Sequence, residues 1–181
     1  MEITKTHIDG VFILKPKIYK DSRGSFFESF NKQKLADILK TEINFVQDNH
    51  SVSKKGVLRG LHYQIGEMAQ AKIVRVVSGS VQDVIVDIRP ESQTYGQHLS
   101  MELNAMDRTM IFLPRGLAHG FLALEAHTEF LYKCDNYYHP DSERGIRYDD
   151  PSIGISWQLP SEDLILSEKD RSLPYLNSIS L

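Results

Sequence analysis

The chain has 181 residues, 41% hydrophobic and 25% charged, with a formal net charge of -3. That length suits a single domain over residues 1–181, and the acidic balance argues against a nucleic-acid surface as its main business, because a phosphate backbone calls for a basic face, while leaving room for a local basic pocket for one phosphorylated ligand. With one cysteine, Cys134, an internal disulfide framework and a cysteine-rich zinc site are excluded as well. The N-terminal stretch MEITKTHIDGVFILK has no long apolar core of the signal-peptide kind. No window has the apolar length to cross a bilayer, so cytoplasm is the expected compartment.

In chain order, Gly10 to Leu14 is a short apolar run and a first strand. Asp21-Ser22-Arg23-Gly24 is a turn signal. After it Phe26, Glu28 and Phe30 share one face of an extended segment by the period of two. A carboxylate between two aromatics fits either the rim of an edge strand or a binding surface. Asn31 to Thr41 predicts a short helix on the outside of a sheet, with Asn31 as N-cap and Leu35, Ile38 and Leu39 on one face.

From Phe45 onward the pattern is predominantly β. Ala71 to Val77 and Val81 to Ile88 are rich in β-branched residues, and Ser78-Gly79-Ser80 between them predicts a tight hairpin. Further strands are expected at Gln97 to Leu103, Thr109 to Leu113, Gly120 to Leu124 and Glu129 to Tyr138. Pro151, Pro160 and Pro174 break the tail from Tyr148 on, which is expected to wrap the strands. Many short strands with regular turn signals predict an all-β sandwich or barrel.

Chemistry is concentrated in FVQDNHSVSKKGVLRGLHYQ, from Phe45 to Gln64. Gln47, Asn49 and Arg59 suit an anionic or hydroxyl-rich ligand, and His62 is a proton carrier near neutral pH. In a regular strand Arg59 and His62 face opposite sides. Either Gly60 hosts a bulge or the two residues use different walls of one pocket. Lys72 shares a face with Val74 and Val76, which fits a snorkelling strand-end lysine or a cation directed into a site. Cys134, in FLYKCDNYY, reads as a half-buried packing residue rather than a nucleophile.

LPRGLAHGF carries His119 in a P-x-G-x-x-H string that resembles the cupin superfamily of jelly-roll barrels. Metal-binding cupins place two histidines one residue apart in their first motif. Here that position reads His62-Tyr63-Gln64, so no metal site is expected. Six blocks together resemble the dTDP-4-dehydrorhamnose 3,5-epimerase family: DSRGSFFESF, FVQDNHSVSKKGVLRGLHYQ, QAKIVRVVSGSVQDVIVDIR, LPRGLAHGFLAL, EFLYKCDNYYHPDSERGIRYDDPSIGISW and LSEKD. They run in order from about Gly10 to Pro174.

The resemblance implies a cupin-like jelly roll with a short N-terminal helix and a wrapped C-terminal tail. It implies epimerisation at C3 and C5 of dTDP-4-dehydro-6-deoxy-D-glucose, a step toward dTDP-rhamnose for cell-surface polysaccharide. The C4 ketone acidifies both carbons, so a base, an acid on the opposite ring face and a cation at the C4 oxygen suffice without a cofactor. By resemblance His62 is the base, Asp170 its partner, Tyr132 the acid and Lys72 the cation. Read without the family, Tyr132 is a core aromatic. His119 is implied to line the pocket, and Gln47, Asn49 and Arg59 to hold the nucleotide diphosphate. Tyr138 is implied to stack on thymine or sugar, with Glu143 and Arg171 as further binding residues. Arg23, Phe26 and Glu28 are implied to contact the nucleotide across a homodimer built by N-terminal strand exchange. Beside this stand a 3-epimerase of the same fold acting on a related nucleotide 4-keto-6-deoxy sugar, a non-catalytic sugar-nucleotide-binding cupin, and a metal-dependent cupin oxygenase.

Overall fold

The computed structural model describes residues 1–179. In chain order the elements are β1 (Glu2–Lys5), β2 (Phe12–Lys15), β3 (Ile18–Asp21), β4 (Gly24–Phe27), α1 (Lys32–Leu39), β5 (Gln47–Ser53), β6 (Leu58–Gln64) and β7 (Lys72–Ser78). They continue with β8 (Ser80–Asp87), β9 (His98–Asn104), β10 (Met110–Leu113), β11 (Leu117–Ala123), β12 (Thr128–Cys134), β13 (Glu143–Gly145) and α2 (Glu168–Arg171). The first run, expected from Gly10, pairs as β2 with β1, a polar strand with no periodic signal.

Two antiparallel sheets face each other. One has the order β1-β2-β10-β7-β12-β5, the other β13-β6-β11-β8-β9. From β5 to β8 the chain changes sheet at every step, and it does so again from β9 to β12, which makes the architecture a cupin-like jelly roll. Between the sheets lie Val74, Val76, Val81, Ile85, Leu103, Ile111, Phe121 and Phe130, all buried. Inward residues of each strand alternate with outward ones, as the pleat requires. On β7 the inward set is Lys72, Val74 and Val76, whereas Ile73 points outward into a separate cluster with Leu14, Met110 and Phe112.

α1 covers that outer cluster with Leu35, and Leu39 packs against it from a partly buried position. Asn31 caps it as the sequence predicts, its side-chain oxygen accepting from the Lys34 N–H at 3.0 Å. The expected extended face Phe26–Glu28–Phe30 does not form, because β4 stops at Phe27. Glu28 instead bonds the Asn31 amide and pairs with Lys34 at 2.7 Å, while Phe30 turns edge-on to Phe45. β3 and β4 make a hairpin that belongs to neither sheet.

The expected hairpin at Ser78-Gly79-Ser80 is a corner. β7 lies in the six-stranded sheet and β8 in the five-stranded one, so the two strands do not pair. The same residues serve either purpose, because both need a left-handed residue at a sharp reversal. Gly79 has φ +75°, and a Cβ there would sit 2.7 Å from Thr128 Oγ1. That hydroxyl is itself fixed by the Glu125 carbonyl at 2.8 Å. The strand expected from Gly120 begins three residues earlier, at Leu117, and β12 stops at Cys134 rather than Tyr138.

The tail wraps the five-stranded sheet through buried polar staples. Gln82, on β8, donates to the Ser156 carbonyl at 2.8 Å and accepts from the Gln158 N–H at 2.7 Å. Farther on, the Leu58 N–H donates to the Ile165 carbonyl at 3.0 Å and the Ile165 N–H to the Gly56 carbonyl at 2.8 Å. No helix among the described residues is long and apolar enough to cross a membrane. Gly79→Ala is expected to cost about 1–3 kcal/mol of stability from backbone strain alone. The melting temperature is expected to fall by roughly 2–4 °C per kcal/mol; an unchanged melt would remove the corner's requirement for glycine.

Candidate active site

One end of the space between the sheets opens as a cavity of about 590 Å³. Its apolar floor is Phe121 and Phe130, whose rings stack at 4.2 Å, and its walls are polar. β5 contributes Gln47, Asn49 and Ser51, and β6 contributes Arg59 and His62. β7 supplies Lys72, β11 His119, β12 Tyr132, and the segment from Tyr138 to Glu143 closes one side. Ser167, Lys169 and Asp170 come from the tail.

A bulge brings Arg59 and His62 to the same wall. His119 pairs opposite His62 and Phe121 opposite Arg59. A step of two residues on β11 is therefore matched by a step of three on β6. His119 and Phe121 share a face, so their partners share it too. Gly60 is the extra residue. It has φ +116°, and a Cβ on it would lie 2.7 Å from both Gly120 Cα and the His119 carbonyl. Of the two arrangements the sequence leaves open, the bulge is the one the chain adopts.

Asp170 reaches His62 across 108 residues of sequence. Ser167 caps α2 by accepting from the Asp170 N–H at 3.1 Å, which turns the carboxylate back toward β6. His62 Nε2 lies 2.6 Å from Asp170 Oδ1, and Oδ2 accepts from the Gly60 N–H at 3.4 Å. Burial works against the charge on Asp170, but the bond and charge of His62 with the Gly60 N–H outweigh it and hold the carboxyl below its usual range. With Nε2 committed to Asp170, Nδ1 is the nitrogen that faces the cavity.

Lys72 has no carboxylate within ion-pair distance among the described residues. Its Nζ lies 5.8 Å from the centre of the Tyr132 ring. Burial pushes the ammonium down from its ordinary value, opposed by Cys134, Glu143 and Asp83. Burial also pushes the Tyr132 phenol up, so it carries its proton at neutral pH. Arg59 has no acidic partner either and donates through Nε to Ser53 at 3.2 Å. Two cations with no carboxylate in direct ion-pair contact, in one cavity, suit the binding of an anion.

The remaining predicted positions divide clearly. Gln47 donates to Asn49 at 3.1 Å and accepts from the Tyr138 N–H at 2.9 Å, so the three form one wall. Glu143 accepts from the Tyr138 hydroxyl at 2.8 Å and from Lys169 Nζ. Arg171 is exposed and does not line the cavity. The lysine two positions before it, Lys169, does so instead, because the helical turn carries residue 171 to the far side. Arg23, Phe26 and Glu28 also lie outside the cavity of their own chain, on or next to the free hairpin. The Arg23 side chain is 88% exposed and Phe26 is 71% exposed. Cys134 is fully buried and accepts from the Asn49 amide at 3.7 Å.

A family model described as dTDP-4-dehydrorhamnose 3,5-epimerase matches residues 5–178. The chain is 50% identical over 184 residues to the dTDP-4-dehydrorhamnose 3,5-epimerase of Salmonella typhimurium, covering 100% of this chain and 98% of that one. The chain belongs to the dTDP-4-dehydrorhamnose 3,5-epimerase family. Among solved structures, the family member from Elizabethkingia anophelis superposes with a TM-score of 0.95 at 43% identity, over 98% of this chain and 97% of that one. A dTDP-6-deoxy-D-glucose-3,5-epimerase from Legionella pneumophila, in complex with dTDP-4-keto-L-rhamnose, superposes with a TM-score of 0.94 at 47% identity. That match covers 99% of this chain and 94% of the other.

Sequence reasoning missed the cavity residues Ser51, Phe121, Phe130 and Lys169, and also Asp83, which lies behind the cavity wall. Asp83 had left a signal, a carboxylate inside the apolar run SVQDVIVD. It lies 2.9 Å from His119 Nε2.

In His62→Ala the Asp170 carboxyl keeps its burial and loses its main stabilising partner. Its titration midpoint, followed by carbonyl carbon NMR, is expected to rise above that of the wild type. The pair's contribution to stability is present above the unfolded value of about 3.9 and disappears as pH falls through the lower folded value. Acid destabilisation is therefore expected to begin at higher pH in the variant. An unmoved midpoint would mean that His62 does not hold Asp170 ionised.

Proposed function

We propose that this protein epimerises C3 and C5 of dTDP-4-dehydro-6-deoxy-D-glucose to give dTDP-4-dehydro-L-rhamnose, with residues 1–181 acting as one catalytic unit. The observation that carries the reading is the convergence of the His62–Asp170 pair, Lys72 and Tyr132 on one cavity in a chain of this family.

The chemistry follows from the substrate. Removing a proton from C3 or C5 leaves a carbanion that delocalises onto the C4 oxygen as an enolate. His62 takes the proton through Nδ1, and Asp170 on Nε2 fixes the tautomer and stabilises the imidazolium. General acid–base assistance of this kind contributes about 10²–10⁴-fold. Lys72 meets the developing oxyanion. Its ammonium is partly desolvated before the reaction, so its field at that oxygen is stronger than water would allow. Tyr132 returns a proton from the opposite ring face, which inverts the centre. The raised phenol supports that role, since an acid must hold its proton until the carbanion is ready. The ketone is the electron sink, so the two proton transfers balance without a redox partner.

Arg59, with Gln47 and Asn49, holds the diphosphate, and Tyr138 stacks on the nucleotide base. His119 and Glu143 complete the sugar end. The Arg23–Phe26–Glu28 segment serves the neighbouring subunit of a homodimer. The support for this is that the β3–β4 hairpin pairs with neither sheet and leaves Phe26 and Tyr19, at 71% and 55% exposure, uncovered.

Incubation of the pure protein with substrate, with product trapped by a reductase, is expected to yield the rhamno-configured sugar. A product inverted at C3 alone would assign the 3-epimerase activity, and binding without turnover would assign a sugar-nucleotide carrier. His62→Ala is expected to lose at least about 10²-fold in kcat while still binding product nucleotide. Full turnover would remove it from the base role. Mixing His62→Ala with Arg23→Ala subunits is expected to restore activity, because one site of the mixed dimer then has both residues. Failure to restore it after subunit exchange would place Arg23 outside the partner's site.

A further inference from the structure

A second histidine–carboxylate pair lies beside the first. His119 and His62 are directly paired residues on neighbouring strands. His62 Nε2 is backed by Asp170, and His119 Nε2 by Asp83 Oδ2 at 2.9 Å. His119 stacks on Phe130 with ring centres 6.1 Å apart, so its ring plane is fixed from one side by an aromatic and from its edge by a carboxylate. Its Nδ1 has no partner among the described residues, and the ring lines the cavity.

Asp83 is an unusual residue for this place. It stands in the interior strand β8, opposite Phe121, with the buried aliphatic residues Val81 and Ile85 on either side of it on the same face. Its side chain is 0% exposed. Its second oxygen, Oδ1, is buried without any hydrogen-bond partner among the described residues. Burying a carboxylate with a single bond to show for it opposes folding. A structural role would be met better by an aliphatic side chain of similar volume. The groups that compensate its charge are on the cavity side. One is the His119 ring, and the other is Lys72, whose ammonium Asp83 helps to keep charged against burial.

We propose that Asp83 is a positioning residue for the epimerisation: it fixes His119 with Nε2–H toward the sheet and Nδ1 toward the cavity, so that a sugar hydroxyl meets one oriented acceptor. The assignment rests on the epimerase reading above. It gives the cavity two imidazoles that are held alike and do different work. His62 has a mobile proton at Nδ1, whereas His119 receives a hydroxyl proton without removing it and so holds the sugar ring at a fixed angle to His62. A ring that turns by a few degrees loses alignment with the base, and alignment is where positioning acts on rate.

A double-mutant cycle tests this. Asp83→Asn is expected to lower kcat/KM by about 10–100-fold, the range where a carboxylate orients a histidine through its second nitrogen. His119→Asn is expected to lose at least as much, and the double variant no more than His119→Asn alone, because Asp83 acts through that ring. Losses that multiply, or wild-type kinetics in Asp83→Asn, would overturn the proposal. The nitrogen NMR spectrum of histidine-labelled wild-type protein gives a reading that needs neither folding of the variants nor turnover. His119 protonated at Nε2 is expected, and His119 protonated at Nδ1 alone would overturn the assignment. Absence of turnover in the wild type would sink the epimerase reading, while the spectrum would still decide how His119 is held.

Discussion

The hydrogen bond between His62 Nε2 and Asp170 Oδ1, at 2.6 Å, joins the barrel to the tail that wraps it. It draws together two parts of the chain that arrive by separate routes. His62 comes from β6, in the sheet, and Asp170 from a single helical turn held by Ser167. Because Asp170 is buried and His62 is half-buried, the bond is formed where water competes weakly. The tail is thus more than a cover. Its backbone pairing at Gly56–Leu58 fixes the height at which α2 enters, and that height decides whether a carboxylate reaches the imidazole.

The bulge at Gly60 meets the same demand from the other side. A regular β6 would send either Arg59 or His62 away from the cavity. With the bulge, the arginine sits above Phe121 and the histidine beside His119, and the freed Gly60 N–H turns to Asp170. One local irregularity therefore brings a guanidinium and an imidazole to the same wall and supplies a backbone donor for Asp170. In the opposite sheet the β12–β7 register shifts between Glu129 and Phe130, away from the cavity residues, and runs regularly from Phe130 to Cys134. Gln47 and Asn49 on β5, Tyr132 on β12 and Lys72 on β7 face inward by simple alternation, and cross-strand register sets Tyr132 between Asn49 and Val74. His62 thus stands on the five-stranded sheet and Tyr132 and Lys72 on the six-stranded one, so the base, acid and cation proposed for the reaction face one another across the cavity.

The parts of this arrangement that were legible in the sequence are the periodic ones. Runs of β-branched residues marked β7 and β8, alternation put Lys72 on the face of Val74 and Val76, and Asn31 announced the start of α1, whereas the short strands β1, β3 and β13 carried no such signal. What local pattern could not carry was partnership. Ser78-Gly79-Ser80 has the chemistry of a hairpin, and only the sheet to which β8 belongs makes it a corner. Tyr132 looks like a core aromatic until the cavity beside it is known. Asp170, Tyr132 and Lys72 were reached as a set through family resemblance, because their contact depends on residues far apart in the chain. Arg171 and Lys169 show the limit most simply: both carry a cation on the same short turn, and only the helix phase turns Lys169 inward.

The account depends most on a base and an acid that approach one sugar ring from opposite faces. A crystal structure of the protein with a non-reacting dTDP-sugar analogue measures this directly. The account predicts His62 Nδ1 within about 3.5 Å of C3 or C5 on one face. It places the Tyr132 hydroxyl on the other face and Lys72 Nζ at the C4 oxygen. An analogue bound with His62 and Tyr132 on the same face of the ring, or with Lys72 turned to the diphosphate, would contradict it.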